Sequence, residues 1–219
     1  MNEIGQMILD QAKRAQTIER IREQFPSVDF PNVVKTDMWW GKREHHRIDN
    51  RWGLVDEDAG MFYSMVSPTY QLVYHEEVVD FLLQAVNDLV DDFGEPEIKP
   101  YVYDRGAKIK VEAVFPKSQA EIKVGDFVSP KVVKRSSYDL SMKYSWEWGA
   151  NQLVCANGLV AFKMKERVAK RHIEGQLNVS LAASTIREAL IGFAEQTQSW
   201  KLVVTICLRY LRNNEQETQ

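Results

Sequence analysis

Residues 135–172 read RSSYDLSMKYSWEWGANQLVCANGLVAFKMKERVAKRH, and this stretch decides the fold of the chain. Aromatic side chains recur here at every second position, at Tyr144, Trp146 and Trp148. In a β-strand this spacing places all three rings on one face. Such alternation predicts a strand, whose rings either pack into a core or form an exposed stacking surface.

Turn signals after this strand predict a meander of antiparallel strands. Gly149-Ala150-Asn151 indicates a first turn, after which residues 152–155 form a short second strand. Asn157-Gly158 is the strongest short turn signal of the chain, because both residues tolerate positive φ. A third strand is expected to begin at residues 159–162.

A basic segment follows the start of the third strand. Five cations fall within nine residues: Lys163, Lys165, Arg167, Lys170 and Arg171. If the strand continues, the first three share one face, and if the segment is helical the cations still cluster. A cationic strip beside exposed rings suits a single-stranded nucleic acid, because cations meet its phosphates and its bases stack on aromatic side chains. If the rings are core, the cations are a solvated face.

A polar block precedes the aromatic strand, at Ser136, Ser137, Tyr138 and Asp139. Short polar side chains of this kind stabilise turns and bulges by hydrogen bonds to the nearby backbone. The alternative is a contact with a ligand or a phosphate. Both interpretations stay open at this point.

These motifs resemble the central block of the domain of unknown function 932, a family of phage and plasmid proteins. The polar block and the segment QLVCANG at residues 152–158 match its pattern, as does GMFYSMVSPTYQLVYHEEVVDFL at residues 60–82. The family's Trp-x-Gly-Leu-Gly motif is missing, and Trp39-Trp40-Gly41 stands in that neighbourhood. The resemblance covers roughly residues 50–195 and implies a fold and an origin, but no established activity.

The whole pattern predicts an α+β fold in which an antiparallel sheet of hairpins, roughly six to eight strands, is backed by helices and preceded by an N-terminal helix. Expected helices are at 3–24, at 76–92 and, after His172, from Ser180 or Ser184 to Phe193 with further C-terminal helix. Hairpins are expected at 47–56 with 61–66 and at 98–103 with 107–115, and a strand at 127–135. Along the first helix an apolar stripe is expected at Ile4, Ile8, Ala12, Ala15, Ile18 and Ile21 or Arg22. Residues 27–41 are expected to form a loop. The predicted organisation is an N-terminal helix or arm at 1–25, one domain at 26–212 and a polar tail at 213–219. The N-terminal helix is expected either to dock on the sheet or to pack on a neighbouring subunit.

Composition and motifs restrict the function. The net charge of −3 means that any nucleic-acid site is a local patch. Phosphate-loop, dinucleotide-binding and nucleophile-elbow motifs are missing, so neither a cofactor nor a catalytic residue is predicted. Three of the acidic residues Asp49, Asp56, Glu57 and Asp58 lie in or beside a turn, so the group is expected to be solvated rather than to form a metal site. Cys155 is expected to be a buried thiol in a reducing cytoplasm, and no segment is apolar enough to span a membrane.

The residues and the resemblance together lead to a first functional hypothesis: a phage or plasmid DNA-metabolism protein that binds single-stranded nucleic acid, in annealing or recombination. It is expected to form a homo-oligomer, with its N-terminal helix and Trp39-Trp40 in subunit contacts. The predicted binding residues are Lys131, Lys134, Arg135, Tyr138, Trp148, Lys163, Lys165, Arg167, Lys170 and Arg171. The alternative is a non-enzymatic module that binds another protein through an aromatic surface.

Overall fold

The computed structural model describes residues 3–42, 44–123, 126–153 and 160–170, the residues of the last strand mostly as backbone. In chain order the elements are α1 (Glu3–Gln24), β1 (Val33–Trp40), β2 (His46–Asp56), β3 (Met61–Val66), α2 (His75–Asn87), α3 (Val90–Phe93), β4 (Glu97–Tyr103), β5 (Lys108–Val114), a 3-10 turn (Pro116–Ser118), β6 (Ala120–Lys123), β7 (Asp126–Ser137), β8 (Tyr144–Leu153) and β9 (Val160–Lys170). The α+β class, the antiparallel hairpins and the N-terminal helix are confirmed.

The strands divide between two antiparallel sheets rather than one. One sheet has the order β1-β2-β3, and the other has the order β4-β5-β7-β8-β9 with β6 paired to β7. Residues 27–41 were expected to be a loop, and this was wrong, because β1 begins at Val33 and pairs with β2 along its length. The two predicted hairpins are confirmed as β2–β3 and β4–β5.

The central meander differs from the prediction at its first turn. β8 continues through Gly149-Ala150-Asn151 to Leu153, so the expected turn is instead a register shift against β9 between Trp148 and Gly149. An irregularity of this kind inserts an extra residue into one strand without ending it. The predicted turn at Asn157-Gly158, the thiol of Cys155 and the helices expected after His172 lie outside the described residues.

The main core lies between α2 and one face of the six-stranded sheet. Ile109, Val111 and Ala113 alternate along β5 and are fully buried there, as the predicted hairpin pattern requires. Tyr144, Trp146 and Trp148 belong to the same cluster. The core interpretation of the aromatic alternation is therefore confirmed, and the exposed stacking surface on β8 is wrong.

Helix α1 contacts α2 mainly through ion pairs. Arg14 pairs with Glu77, Arg20 with Asp80 and Arg22 with Glu76. Ile21 is buried beside them, whereas Ile8 and Ala12 of the predicted apolar stripe are exposed. The contact face of α1 is thus more polar than its apolar periodicity indicates.

A smaller core lies under the three-stranded sheet. It contains Val33, Leu54, Val66, Tyr70, Leu72 and Tyr138.

None of the helices in the described part of the chain is long and apolar enough to cross a membrane.

Candidate nucleic-acid interface

Four of the predicted binding residues lie inside the protein. Trp148 and Tyr138 are 1% and 0% exposed, so neither ring can stack on a base, and their predicted role is wrong. Lys131 is buried and its Nζ lies 2.9 Å from the Glu112 carboxylate. Lys134 is fully buried. Burial and pairing therefore remove both lysines from the predicted phosphate-binding groove.

Lys134 lies on the core face because β7 pairs it with Trp146 of β8. Its Nζ lies 4.0 Å from the ring centre of Trp146 and 4.5 Å from the ring centres of Phe81 and Tyr144. Among the described residues the ammonium has no hydrogen-bond acceptor. Burial lowers the pKa of Lys134 well below its usual range, and the nearby carboxylates of Asp80 and Glu77 oppose this shift.

Tyr138 connects three parts of the fold. Its ring stacks on His75, with ring centres 4.1 Å apart, and its hydroxyl accepts a hydrogen bond from the His75 amide at 2.9 Å. Its own amide donates to the Ala107 carbonyl, and its carbonyl accepts from the Ser64 hydroxyl. Tyr138 thereby joins β3, the start of α2 and the β4–β5 turn.

The rest of the polar block stabilises a turn. The Asp139 carboxylate accepts hydrogen bonds from the amide and the hydroxyl of Ser141 at 3.0 and 2.7 Å. The Ser137 hydroxyl donates to the Met142 carbonyl and accepts from the Met142 amide. These contacts confirm the interpretation as a turn satisfied by side-chain hydrogen bonds.

Arg135 is partly exposed, and its Nε lies 3.1 Å from the Glu147 carboxylate, which neutralises it locally. The predicted basic strip falls on β9, where the backbone continues as a strand and pairs with β8 as far as Lys170. The register shift interrupts the strict alternation assumed for this strand. The side chains of Lys163, Lys165, Arg167 and Lys170, and the whole of Arg171, lie outside what the structure describes. The strip therefore stays a prediction.

The acidic residues of the β2–β3 hairpin shape its turn. The buried carboxylate of Asp56 accepts hydrogen bonds from the amides of Asp58 and Ala59 at 3.1 and 3.3 Å. Tyr63 donates its hydroxyl to the same carboxylate at 3.4 Å, and burial together with Asp56 raises the pKa of Tyr63 to about 12. Within the described ranges, no group of His, Cys, Asp or Glu side chains is arranged to hold a metal ion.

An exposed aromatic surface lies elsewhere, at the end of the β1–β2 hairpin. We call residues 39–51 the Trp ribbon. The indoles of Trp39 and Trp40 are 56% and 64% exposed. The pairing of β2 with β3 begins at Trp52, so the ribbon extends past the end of β3. Its tip therefore presents two large rings to solvent.

The Trp ribbon is locally basic. It contains the cations Lys42, Arg43, Arg47 and Arg51 and the acids Glu44 and Asp49, a formal charge of +2 in a chain of −3. The guanidinium of Arg47 lies 2.8 Å from Asp37 and remains half-exposed. The ring of His46 lies 5.7 Å from that of Trp40. Exposed indoles beside cations can stack on bases and contact phosphates at the same time.

The sequence shows two adjacent tryptophans at this site, but its local pattern does not show that they lie on a strand. The pair Trp39-Trp40 is visible, but residues 33–40 (VVKTDMWW) lack the strict alternation of apolar and polar side chains that indicates a strand. In the structure the pairing is irregular between Asp37 and Trp39, with the extra residues on β2, where Asn50 has positive φ. The ribbon follows from the pairing of β1 with β2, which is not a local property.

The comparisons with known proteins identify a family. The model of the domain of unknown function (DUF932) matches residues 62–205, which is more than half of the chain. Neither the curated proteins nor the solved structures compared with it gave a match. The matched region includes the Tyr138 junction and the buried aromatic strand, whereas the Trp ribbon precedes it. The chain therefore belongs to the family defined by the domain of unknown function DUF932.

Proposed function

We propose that this chain is a phage or plasmid DNA-metabolism protein that binds single-stranded nucleic acid, in annealing or recombination. The observation that carries the proposal is the Trp ribbon, in which two exposed indoles lie beside exposed cations. The sequence resemblance to phage and plasmid proteins supports a role in annealing or recombination.

The ribbon favours an unpaired strand over a duplex. In a duplex the faces of the bases are covered by their neighbours, whereas an unpaired strand can place its bases on exposed rings. Stacking on an aromatic side chain contributes about 1–3 kcal/mol per base and tolerates any sequence. Cations beside the rings add a contribution that does not depend on sequence and weakens with salt. Trp39 and Trp40 supply the first contribution, and Lys42 and Arg47 the second.

The predicted strip at Lys163–Arg171 is a second cationic segment in the same proposal. It supplies five cations in the sequence, more than the ribbon does. Residues 163–170 of the strip belong to β9 of the six-stranded sheet, whereas the ribbon belongs to the other sheet. Separate variants can therefore measure how much each of the two segments contributes to nucleic-acid binding.

The alternative is that the aromatic surface binds another protein. The specific observation in its favour is that Phe62 and Met65 of β3 are also exposed, at 51% and 42%. Exposed tryptophans are common centres of binding energy in protein interfaces. Salt distinguishes the two functions, because binding to phosphates weakens steeply with salt and an apolar interface does not.

The ribbon is tested by titrating labelled single-stranded and double-stranded oligonucleotides and following fluorescence anisotropy at several salt concentrations. Trp40→Ala is expected to weaken single-strand binding about ten-fold, the loss of one stacked base. Trp40→Phe retains a stacking ring and is expected to recover most of the affinity. Equal affinities of the alanine variant and the wild type would show that the ring does not contact the bases.

The phosphate contacts are tested by replacing Lys42 and Arg47 with glutamine. If each contacts one phosphate, the slope of log affinity against log salt flattens by about 1.4, at about 0.7 per contact. Glutamine at Lys13 and Lys99, two exposed lysines on α1 and β4, is the charge-matched control. Equal weakening in both double variants would mean that overall charge, not the ribbon, drives binding.

The basic strip has its own test. Replacing Lys165 and Arg167 with glutamine is expected to flatten the salt slope by a similar amount, about 1.4, with little change in sequence preference. An unchanged slope excludes these two residues as phosphate contacts. If the wild type binds no oligonucleotide at low salt, the nucleic-acid proposal fails and the protein-binding alternative replaces it.

A further inference from the structure

The outer face of the three-stranded sheet, opposite the smaller core, is apolar. Backbone pairing aligns Val34, Val55 and Phe62 in one row across the sheet, and aligns Thr36, Gly53 and Met65 in the next row. A Cβ atom on Gly53 would lie 2.5 Å from the sulfur of Met38 and 3.2 Å from the Phe62 ring. Glycine at this position thus leaves room for Met38 and Phe62 above the strand, and the face is an apolar patch with Thr36 as a polar residue on its β1 side.

The two ends of this patch carry opposite charges. Arg51, Gly53, Val55 and Glu57 alternate along the chain and therefore share the outer face. The Glu57 amide donates to the Asn32 carbonyl, so the pairing continues one residue past the end of β2. Arg51, the last residue of the Trp ribbon, is exposed at one end, and Glu57 with Asp58 is exposed at the other end. The centre of this series lies midway between Gly53 and Val55.

We propose that this face packs against the same face of a second copy of the chain, about a two-fold axis at the middle of β2. A rotation of this kind places Arg51 of each copy opposite Glu57 of the other, because both residues lie three positions from Leu54. It also places the Phe62 and Met65 side chains of the two copies together. Isologous contacts require this self-complementarity, and aligned sheets pack face to face in the same way.

The charge pattern is what selects a second copy as the partner. An apolar face alone would accept many partners, but a face that is basic at one end and acidic at the other complements itself in the antiparallel orientation. Like charges opposed across an interface cost several kcal/mol, so the parallel orientation is disfavoured. Of the Trp ribbon, only Arg51 takes part in this contact, and Trp39, Trp40 and Lys42 stay outside it. The inference does not depend on the nucleic-acid proposal, because Arg51 is not one of the residues to which that proposal assigns a nucleic-acid contact.

The experiment is light scattering coupled to size exclusion, on the full chain without nucleic acid and over a range of concentrations. The wild type is expected to have the mass of a dimer. Arg51→Glu and Glu57→Arg are each expected to weaken dimerisation about ten-fold or more, since each opposes like charges in two places. The double variant R51E/E57R restores the pairs in reverse and is expected to recover the dimer.

Two further variants isolate the surface. Phe62→Ser removes the exposed ring and is expected to yield a monomer whose circular dichroism matches that of the wild type. Lys99→Glu makes the same kind of charge reversal on β4 and is expected to leave the mass unchanged. A monomeric wild type overturns the proposal. So does a dimer that the single variants do not weaken, or a double variant that is no better than either single one.

Discussion

Trp148→Ala is expected to lower the free energy of unfolding by about 3–5 kcal/mol, the usual cost of deleting a large aromatic side chain from a core. The ring is 1% exposed and packs in the main core, on the strand position that pairs with Val132. Its removal loses apolar burial and leaves a cavity that neighbouring strands cannot fill without breaking their register. Urea denaturation followed by far-UV circular dichroism measures the loss.

The matched control is Trp40→Ala, which removes the same side chain from a position that is 64% exposed. Its free energy of unfolding is expected to stay within about 0.5 kcal/mol of the wild type. Together the two variants separate the core tryptophan from the surface one. A small loss for Trp148→Ala would show that β8 does not pack as described, and a large loss for Trp40→Ala would show that its ring is covered in solution.

Local sequence was sufficient for the hairpins. The β4–β5 hairpin follows from strict alternation on either side of Asp104-Arg105-Gly106, and all three turn residues have positive φ in the structure. The β2–β3 hairpin follows from the turn residues before Met61. Both turns depend on short-range chemistry, which the order of residues expresses directly.

Local sequence was insufficient where the pairing of strands determines which face of a strand is buried. The alternation of Tyr144, Trp146 and Trp148 shows that the rings share a face, but not whether that face meets α2 or solvent. Both faces of β7 carry a mixture of lysine and valine, so Lys134 cannot be assigned to the core without its partner Trp146. The arrangement of the two sheets is also a tertiary property, because Tyr138, which follows β7 of the larger sheet, accepts a hydrogen bond from Ser64 of β3 in the smaller one.

The candidate site was misplaced for the same reason. Tyr138 and Trp148 were chosen because rings near cations suit nucleic acid, yet their family-matched positions serve packing and the junction between sheets. The exposed indoles at Trp39 and Trp40 lie before the matched region. The stretch with the most sequence motifs therefore forms part of the core. The exposed aromatic surface lies instead on the β1–β2 hairpin, whose first strand lacks a clear alternation in the sequence.

Lys134 provides the second large effect, because its ammonium is buried and no described residue offers it a hydrogen-bond acceptor. Leaving a buried polar group unsatisfied costs about 1–3 kcal/mol, more for a charged one. The rings of Phe81, Tyr144 and Trp146 recover part of this through cation–π contacts. Methionine has a similar length, no charge and favourable contacts with aromatic rings. Lys134→Met is therefore expected to raise the free energy of unfolding at pH 7 by about 1–3 kcal/mol.

The pH dependence of the free energy of unfolding tests whether the buried charge of Lys134 causes the effect. Burial lowers the pKa of folded Lys134, so between that pKa and the ordinary lysine value of about 10.4 the unfolded chain binds more protons than the folded one. Stability must then rise with pH across this window, and the penalty is fully present below it. Urea denaturation at pH 7 and pH 9.5 measures the rise while staying below the ordinary tyrosine pKa of about 10.

The wild type is expected to gain more stability than Lys134→Met, and the exposed control Lys13→Met is expected to follow the wild type. A destabilised Lys134→Met with an unchanged pH slope would instead mean that the three rings hold the ammonium at a net gain.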